Sequence, residues 1–119
     1  MNYVDGFVLP LPKKNLAAYK KMATLASKIW RDHGALDYCE CVGDDLAAGF
    51  CTPFTKQMKT KPGETVVIAW IEFKSKAHRD KVNGAVMKDP RLAKMMSGSK
   101  MPFDCKRMLY GGFKVLVRK

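Results

Sequence analysis

The run Thr65 to Phe73 is apolar on both faces of the strand it predicts. Side chains alternate across a strand, so Val66, Ile68 and Trp70 project one way while Val67, Ala69, Ile71 and Phe73 project the other. Both faces therefore need cover. The rest of the pattern supplies about two substantial helices, enough for one face of a small sheet, and the second face then calls for another subunit. A homodimer is the first expectation.

Tyr3 to Leu9 reads as a first strand, closed by Pro10 and Pro12. Asn15 is placed to cap a long helix on which Leu16, Tyr19, Ala23, Ala26, Ile29, Trp30 and His33 share one face, and Gly34 supplies the left-handed residue that ends it. Leu36 to Val42 is a second strand. The stretch from Gly43 to Gly63, with Pro53, Pro62 and Asp44-Asp45, shows no period and is long for a loop, so an arm, a lid or a short extra element is expected there. After the third strand, Ser75 caps a second helix that turns Val82, Ala85 and Val86 inward together with Ala77 or His78. Asp89-Pro90 stops that helix and opens a short third one, Arg91 to Met96, which Ser97-Gly98-Ser99 breaks. Arg107 to Val117 is the last strand, with a bulge or the close approach of another backbone expected at Gly111-Gly112. The order βαββαβ predicts an α+β, ferredoxin-like fold, a four-stranded antiparallel sheet with helices on one face, as one domain over residues 1–119. The open face is expected to carry Tyr3, Phe7, Ile68 and Trp70 and to form the dimer interface.

Several motifs then occur in a telling order: Tyr3-Val4-Asp5-Gly6-Phe7, Gly34-Ala35-Leu36, Glu40 to Asp45, Ser75 to Asn83, Asp89-Pro90-Arg91, and Met101 to Asp104 running into Lys106-Arg107-Met108 and Tyr110 to Phe113. On these residues the sequence resembles, from Tyr3 to Val117, the YbaA-like family of bacterial proteins of unknown function. The resemblance implies membership of the dimeric α+β barrel group, in which two such sheets pack face to face. That group includes small monooxygenases, haem-degrading enzymes and pure ligand-binding modules, so it fixes no activity.

Composition narrows the partners. Apolar residues at 47% and aromatics at 10% support a real core. The longest uncharged apolar stretch, Val66 to Ile71, is too short to span a bilayer, and Asp5 interrupts the N-terminal region where a signal peptide needs an apolar run, so a cytoplasmic protein is expected. Its four cysteines are then reduced. The net charge of +11 invites a nucleic-acid reading, since the first helix carries Lys13, Lys14, Lys20, Lys21, Lys28 and Arg31 before its first acid, Asp32. A solvated helix face is the commoner reason for such a stripe. The RNA-recognition motif shares this element order, yet at Val66 to Phe73 the outward positions that would stack bases hold Ile68 in place of an aromatic and Val66 in place of a cation. Nucleic-acid binding beyond a weak, non-specific attraction is not expected.

Among candidate chemical groups the two histidines come first. A first helix of about 28 Å is expected to leave His33 and His78 at opposite edges of the sheet, too far apart to share a metal within one subunit. His78, beside Arg79 and Asp80, is the candidate acid or base, or an axial haem ligand, against an ordinary helix-start histidine. Cys39 and Cys41, two apart on one strand, read as small buried hydrophobes rather than a disulfide or zinc pair. Met22, Met87, Met95, Met96, Met101 and Met108 suit either an adaptable pocket or plain core filling. Asp104 followed by Lys106-Arg107 makes either an anion-binding corner or a structural ion pair. The expected protein binds a small apolar or aromatic compound between helices and sheet, with walls from Trp30, Tyr38 and Met87, and Asp104 and Arg107 at the entrance. Turnover, if there is any, would be of the cofactor-free monooxygenase kind with His78 as base. No cofactor and no metal is called for. A nucleic-acid binder using the basic helix and a structural interaction module are the competing classes.

Overall fold

A computed structural model describes residues 2–47, 49–97 and 101–119. Eight elements follow in order: β1 (Tyr3–Pro12), α1 (Leu16–Asp32), β2 (Asp37–Val42), α2 (Phe54–Gln57), β3 (Glu64–Phe73), α3 (Lys76–Met87), α4 (Pro90–Met96) and β4 (Leu109–Lys114). The strands form one antiparallel sheet in the order β2-β3-β1-β4. This is the ferredoxin-like arrangement, and the fold is α+β.

The helix boundaries follow local chemistry. The Ser75 hydroxyl accepts the His78 backbone N–H at 3.0 Å and starts α3. The Asp89 carboxylate accepts the Arg91 N–H at 2.8 Å with Pro90 at the first helical position of α4. Gly34, at φ +112°, lets the chain turn away from α1 where a Cβ would be strained. Within the long 43–63 connection the extra element is a single helical turn, α2. The expected break after α4 falls on Gly98 and Ser99, outside the described residues.

β1 differs from expectation in length and in facing. It continues past Pro10 to Pro12, because beyond Val8 it has β3 as a partner but no longer β4, and proline is tolerated where one side of a strand is unpaired. Leu9 and Leu11 thereby enter the core, both essentially inaccessible. Their parity carries Tyr3, Asp5 and Phe7 with them to the helix-covered face, where Tyr3 pairs with buried Phe73 and Phe7 with buried Ala69. The expectation that Tyr3 and Phe7 lie on the open face is thus corrected, whereas Ile68 and Trp70 do lie there. Their cross-strand neighbours are Val8 and Gly6 on β1 and Cys41 and Cys39 on β2. Leu109 and Phe113 of β4 share that face and are 58% and 60% exposed, and Ile68 is 41% exposed.

Two further expectations change at the sheet. β4 is shorter than Arg107–Val117, since Cys105–Arg107 forms a 3-10 turn. Its pairing with β1 is unbroken from Leu109 to Lys114, so there is no bulge at Gly111-Gly112. What approaches Gly112 is a side chain, because a Cβ there would lie 2.4 Å from the Tyr3 hydroxyl. Cys39 and Cys41 are not fully buried within the subunit. They sit half-exposed on the open face with Sγ atoms 3.8 Å apart, and burial together with the neighbouring thiol raises the Cys39 pKa.

Candidate functional site

The helix-covered core is split. One cluster joins Ile29, Ile71, Phe73, Val82 and Val86; the other joins Leu9, Leu11, Tyr19, Ala23 and Val67. Between them lies a cavity of about 530 Å³ bounded by the sheet, α1, α3, α4 and the 101–108 segment. Its floor follows from strand pairing. Glu40, Ala69, Phe7 and Tyr110 form one row across the four strands, and Tyr38, Ile71, Asp5 and Gly112 form the next. Ala69 is the short side chain in the middle of the first row, and it leaves room where a larger residue would fill the core. The six methionines singled out in the sequence all line this space, Met87 and Met96 at an exposed mouth. Unbranched thioethers suit a wall that must adapt to its contents.

Polar groups reach the cavity at two places. At one, Glu40 accepts hydrogen bonds from the Tyr38 hydroxyl at 2.8 Å and from the Tyr19 hydroxyl through its other oxygen. Burial, reinforced by this carboxylate, holds both phenols far above their ordinary pKa. At the other, Asp5 is 1% exposed and accepts from Arg79 at 2.8 Å and from Asn83 at 3.3 Å. The Asn83 carbonyl oxygen accepts the Trp30 indole N–H at 3.0 Å, which holds the indole beside the cavity. Arg79 also donates to the Tyr110 hydroxyl and lies 4.9 Å from the Tyr3 ring centroid. Two strands and one two-residue step separate Glu40 from Asp5, or about 12 Å between Cα atoms at standard sheet spacing.

The predicted site residues divide accordingly. Trp30, Tyr38 and Met87 line the cavity together. His78 does not line it. Its Nδ1 accepts the Lys74 backbone N–H at 3.0 Å, its ring meets Phe73 edge-on at 6.0 Å, and its Nε2 lies 3.5 Å from where a Gly34 Cβ would be. The geometry is that of a helix-start histidine closing the junction between α1 and α3. It also corrects the expected separation of the histidines, because the end of α1 packs against the start of α3 and His33 instead binds Asp89 through Nε2 at 2.7 Å. The entrance corner is likewise structural. Asp104 accepts the Lys106 N–H at 3.0 Å, and Arg107 forms a bidentate pair with Glu64 at 2.7 and 2.9 Å. The groups that sequence reasoning passed over are Asp5, Tyr19, Glu40, Ala69 and Asn83. Asp5 and Glu40 did carry a signal, each being an acid on the same strand face as apolar residues that must be buried.

Similarity to known proteins agrees with this fold. The family model described as "Protein of unknown function (DUF1428)" matches residues 2–105. The chain belongs to that family. It is 43% identical over 117 residues, 98% of both chains, to the uncharacterized protein YbaA of Escherichia coli strain K12 and equally to that of Shigella flexneri. A solved structure of a dimeric ferredoxin-like protein from an uncultured marine organism superposes over the full length of both chains with a TM-score of 0.54 at 12% identity. For this DUF1428 member, no helix among the described residues is long and apolar enough to cross a membrane, and no group of three or more metal-ligating side chains is assembled among them.

Proposed function

We propose that the chain is a homodimeric, cytoplasmic ligand-binding protein that takes one small, flat, largely apolar compound per subunit. The cavity supports this reading: its volume of about 530 Å³ falls in the range of small-molecule sites, and its lining is aromatic and thioether-rich with a few convergent polar groups. The open sheet face supports the dimer. It leaves Ile68, Leu109 and Phe113 in contact with water, and the marine protein of the same fold is described as dimeric. Turnover of the monooxygenase kind would require a base inside the cavity. Glu40 is placed for that role and His78 is not.

The two tryptophans make the test direct, because Trp30 borders the cavity and Trp70 lies on the open face. In a Trp70→Phe background, titration with 2-naphthol is expected to quench Trp30 fluorescence saturably. Adding Ala69→Leu should weaken binding at least about tenfold while the fold is retained, since the new side chain occupies the cavity floor. Unchanged affinity in that variant would place the ligand elsewhere. Oxygen uptake with a panel of quinols would separate an oxygenase from a carrier, and His78→Ala is expected to change neither binding nor uptake.

A further inference from the structure

The cavity inverts the charge of the molecule around it. The chain carries 22 lysines and arginines against 11 acids, yet no lysine, arginine or histidine is among the described residues lining the cavity, whose two charged side chains are Asp5 and Glu40. Asp5 is matched from behind by Arg79, which also meets Asp80. Among the described residues Glu40 has no such match. Among the described residues its partners are the neutral hydroxyls of Tyr19 and Tyr38, and none of the ion pairs includes it. A carboxylate has about four acceptor positions, so two tyrosine donors leave capacity for a donor brought by a ligand. The groups around it are rings: Tyr19 and Phe103 meet edge-on at 5.6 Å between centroids, and Trp30 and Tyr38 are 6.2 Å apart. An aromatic face attracts a cation within about 6 Å of its centroid, and an uncompensated carboxylate in partly desolvated surroundings does so more strongly.

Resting on the ligand-binding reading above, we propose that the compound is an organic cation: an aromatic or arylalkyl amine whose ammonium group donates to Glu40 while its ring system lies among Trp30, Tyr38 and the methionines. The basic outer surface does not oppose this. Salt screens exposed charges beyond about 8 Å at physiological ionic strength, whereas the Glu40 contact is made at hydrogen-bond distance.

An isosteric series isolates the charge: 2-naphthylmethylamine, 2-naphthylmethanol and 2-naphthoate, titrated by calorimetry into the full-length protein at physiological salt. The amine is expected to bind at least tenfold more tightly than the alcohol, and the carboxylate most weakly. Glu40→Gln should abolish that preference, the amine losing at least about tenfold in affinity and falling level with the alcohol. Tyr38→Phe, which keeps the carboxylate and the ring, should preserve it. Should Glu40→Gln fail to fold, the wild-type ranking alone decides. An alcohol or carboxylate that binds as tightly as the amine would overturn the cation assignment and leave the cavity's ligand-binding role standing. Failure of all three to bind at millimolar concentration would overturn both.

Discussion

Asp5 shows how much one side chain depends on its surroundings here. It sits on a strand face otherwise given to Tyr3, Phe7, Leu9 and Leu11, nearly inaccessible, and it is held by an arginine, an asparagine and the network that runs through them to Trp30. Removing the buried partner of such a pair leaves the other charge undercompensated, here an Arg79 left with the exposed Asp80, a loss of about 3–5 kcal/mol. Asp5→Ala is therefore expected to lower unfolding free energy by about that amount in urea, and to weaken the cavity ligand as Asn83 and the indole lose their anchor. A loss below about 1 kcal/mol would show that the pair is not a keystone of the site. Glu40 belongs to a different class, since among the described residues its partners are the neutral hydroxyls of Tyr19 and Tyr38. The two acids look alike in the sequence and differ in what faces them across the fold.

At the scale of elements, the junction of α1 with α4 turns on Asp89. Its carboxylate caps α4, pairs with Arg91 at 2.9 Å and meets His33 at 2.7 Å, while Arg91 reaches on to Asp32 at 2.8 Å. The Arg91 guanidinium first, and His33 second, hold the Asp89 pKa well below the ordinary aspartate range. A depressed carboxylate contributes stability that is fully present above its unfolded pKa, about 3.9, and is lost as pH falls from there through the folded value. Wild-type melting temperature should thus drop between about pH 4 and pH 2. Asp89→Asn should lower the melting temperature at pH 7 and flatten that acid slope. An identical acid slope in the variant would show that other carboxylates carry the effect.

The whole molecule has one sheet face covered by helices and the other exposed except at the end where Pro10 and Val66 pair, both of which are buried. Ile68, Trp70, Leu109 and Phe113, with Val8 and the two half-exposed cysteines, make an apolar surface four strands wide. Four strands at about 4.8 Å by six residues at about 3.3 Å give a face of about 19 by 20 Å, or about 760 Å² for two paired faces, so the side chains that stand out from them, Leu109 and Phe113 above all, must interdigitate to reach the roughly 1,200 Å² of a stable interface. The wild-type protein should run as a dimer at micromolar concentration by light scattering. Ile68→Glu, which would bury an unpaired charge on each side, should shift it to monomer or raise the dissociation constant at least about 100-fold. A dimer of undiminished affinity in that variant would move the interface off this face.

Helix starts, helix ends and element order were legible in the sequence because they are local: Ser75 and Asp89 satisfy donors within three residues, Gly34 supplies a left-handed turn, and a period of two or of 3.6 shows within a short window. The two-sided apolar pattern of β3 likewise announced an unprotected second face. Which face β1 presents was decided only by tertiary pairing, since every second residue shares a face and the parity is set by which leucines reach the core. The same holds for the cavity. Ala69, Glu40 and Phe7 are distant in sequence and become one row only when three strands align, and His78 leaves the candidate site because the end of α1 closes over the start of α3. Local chemistry writes the elements, whereas a site between them exists only through contacts that no short window of sequence contains.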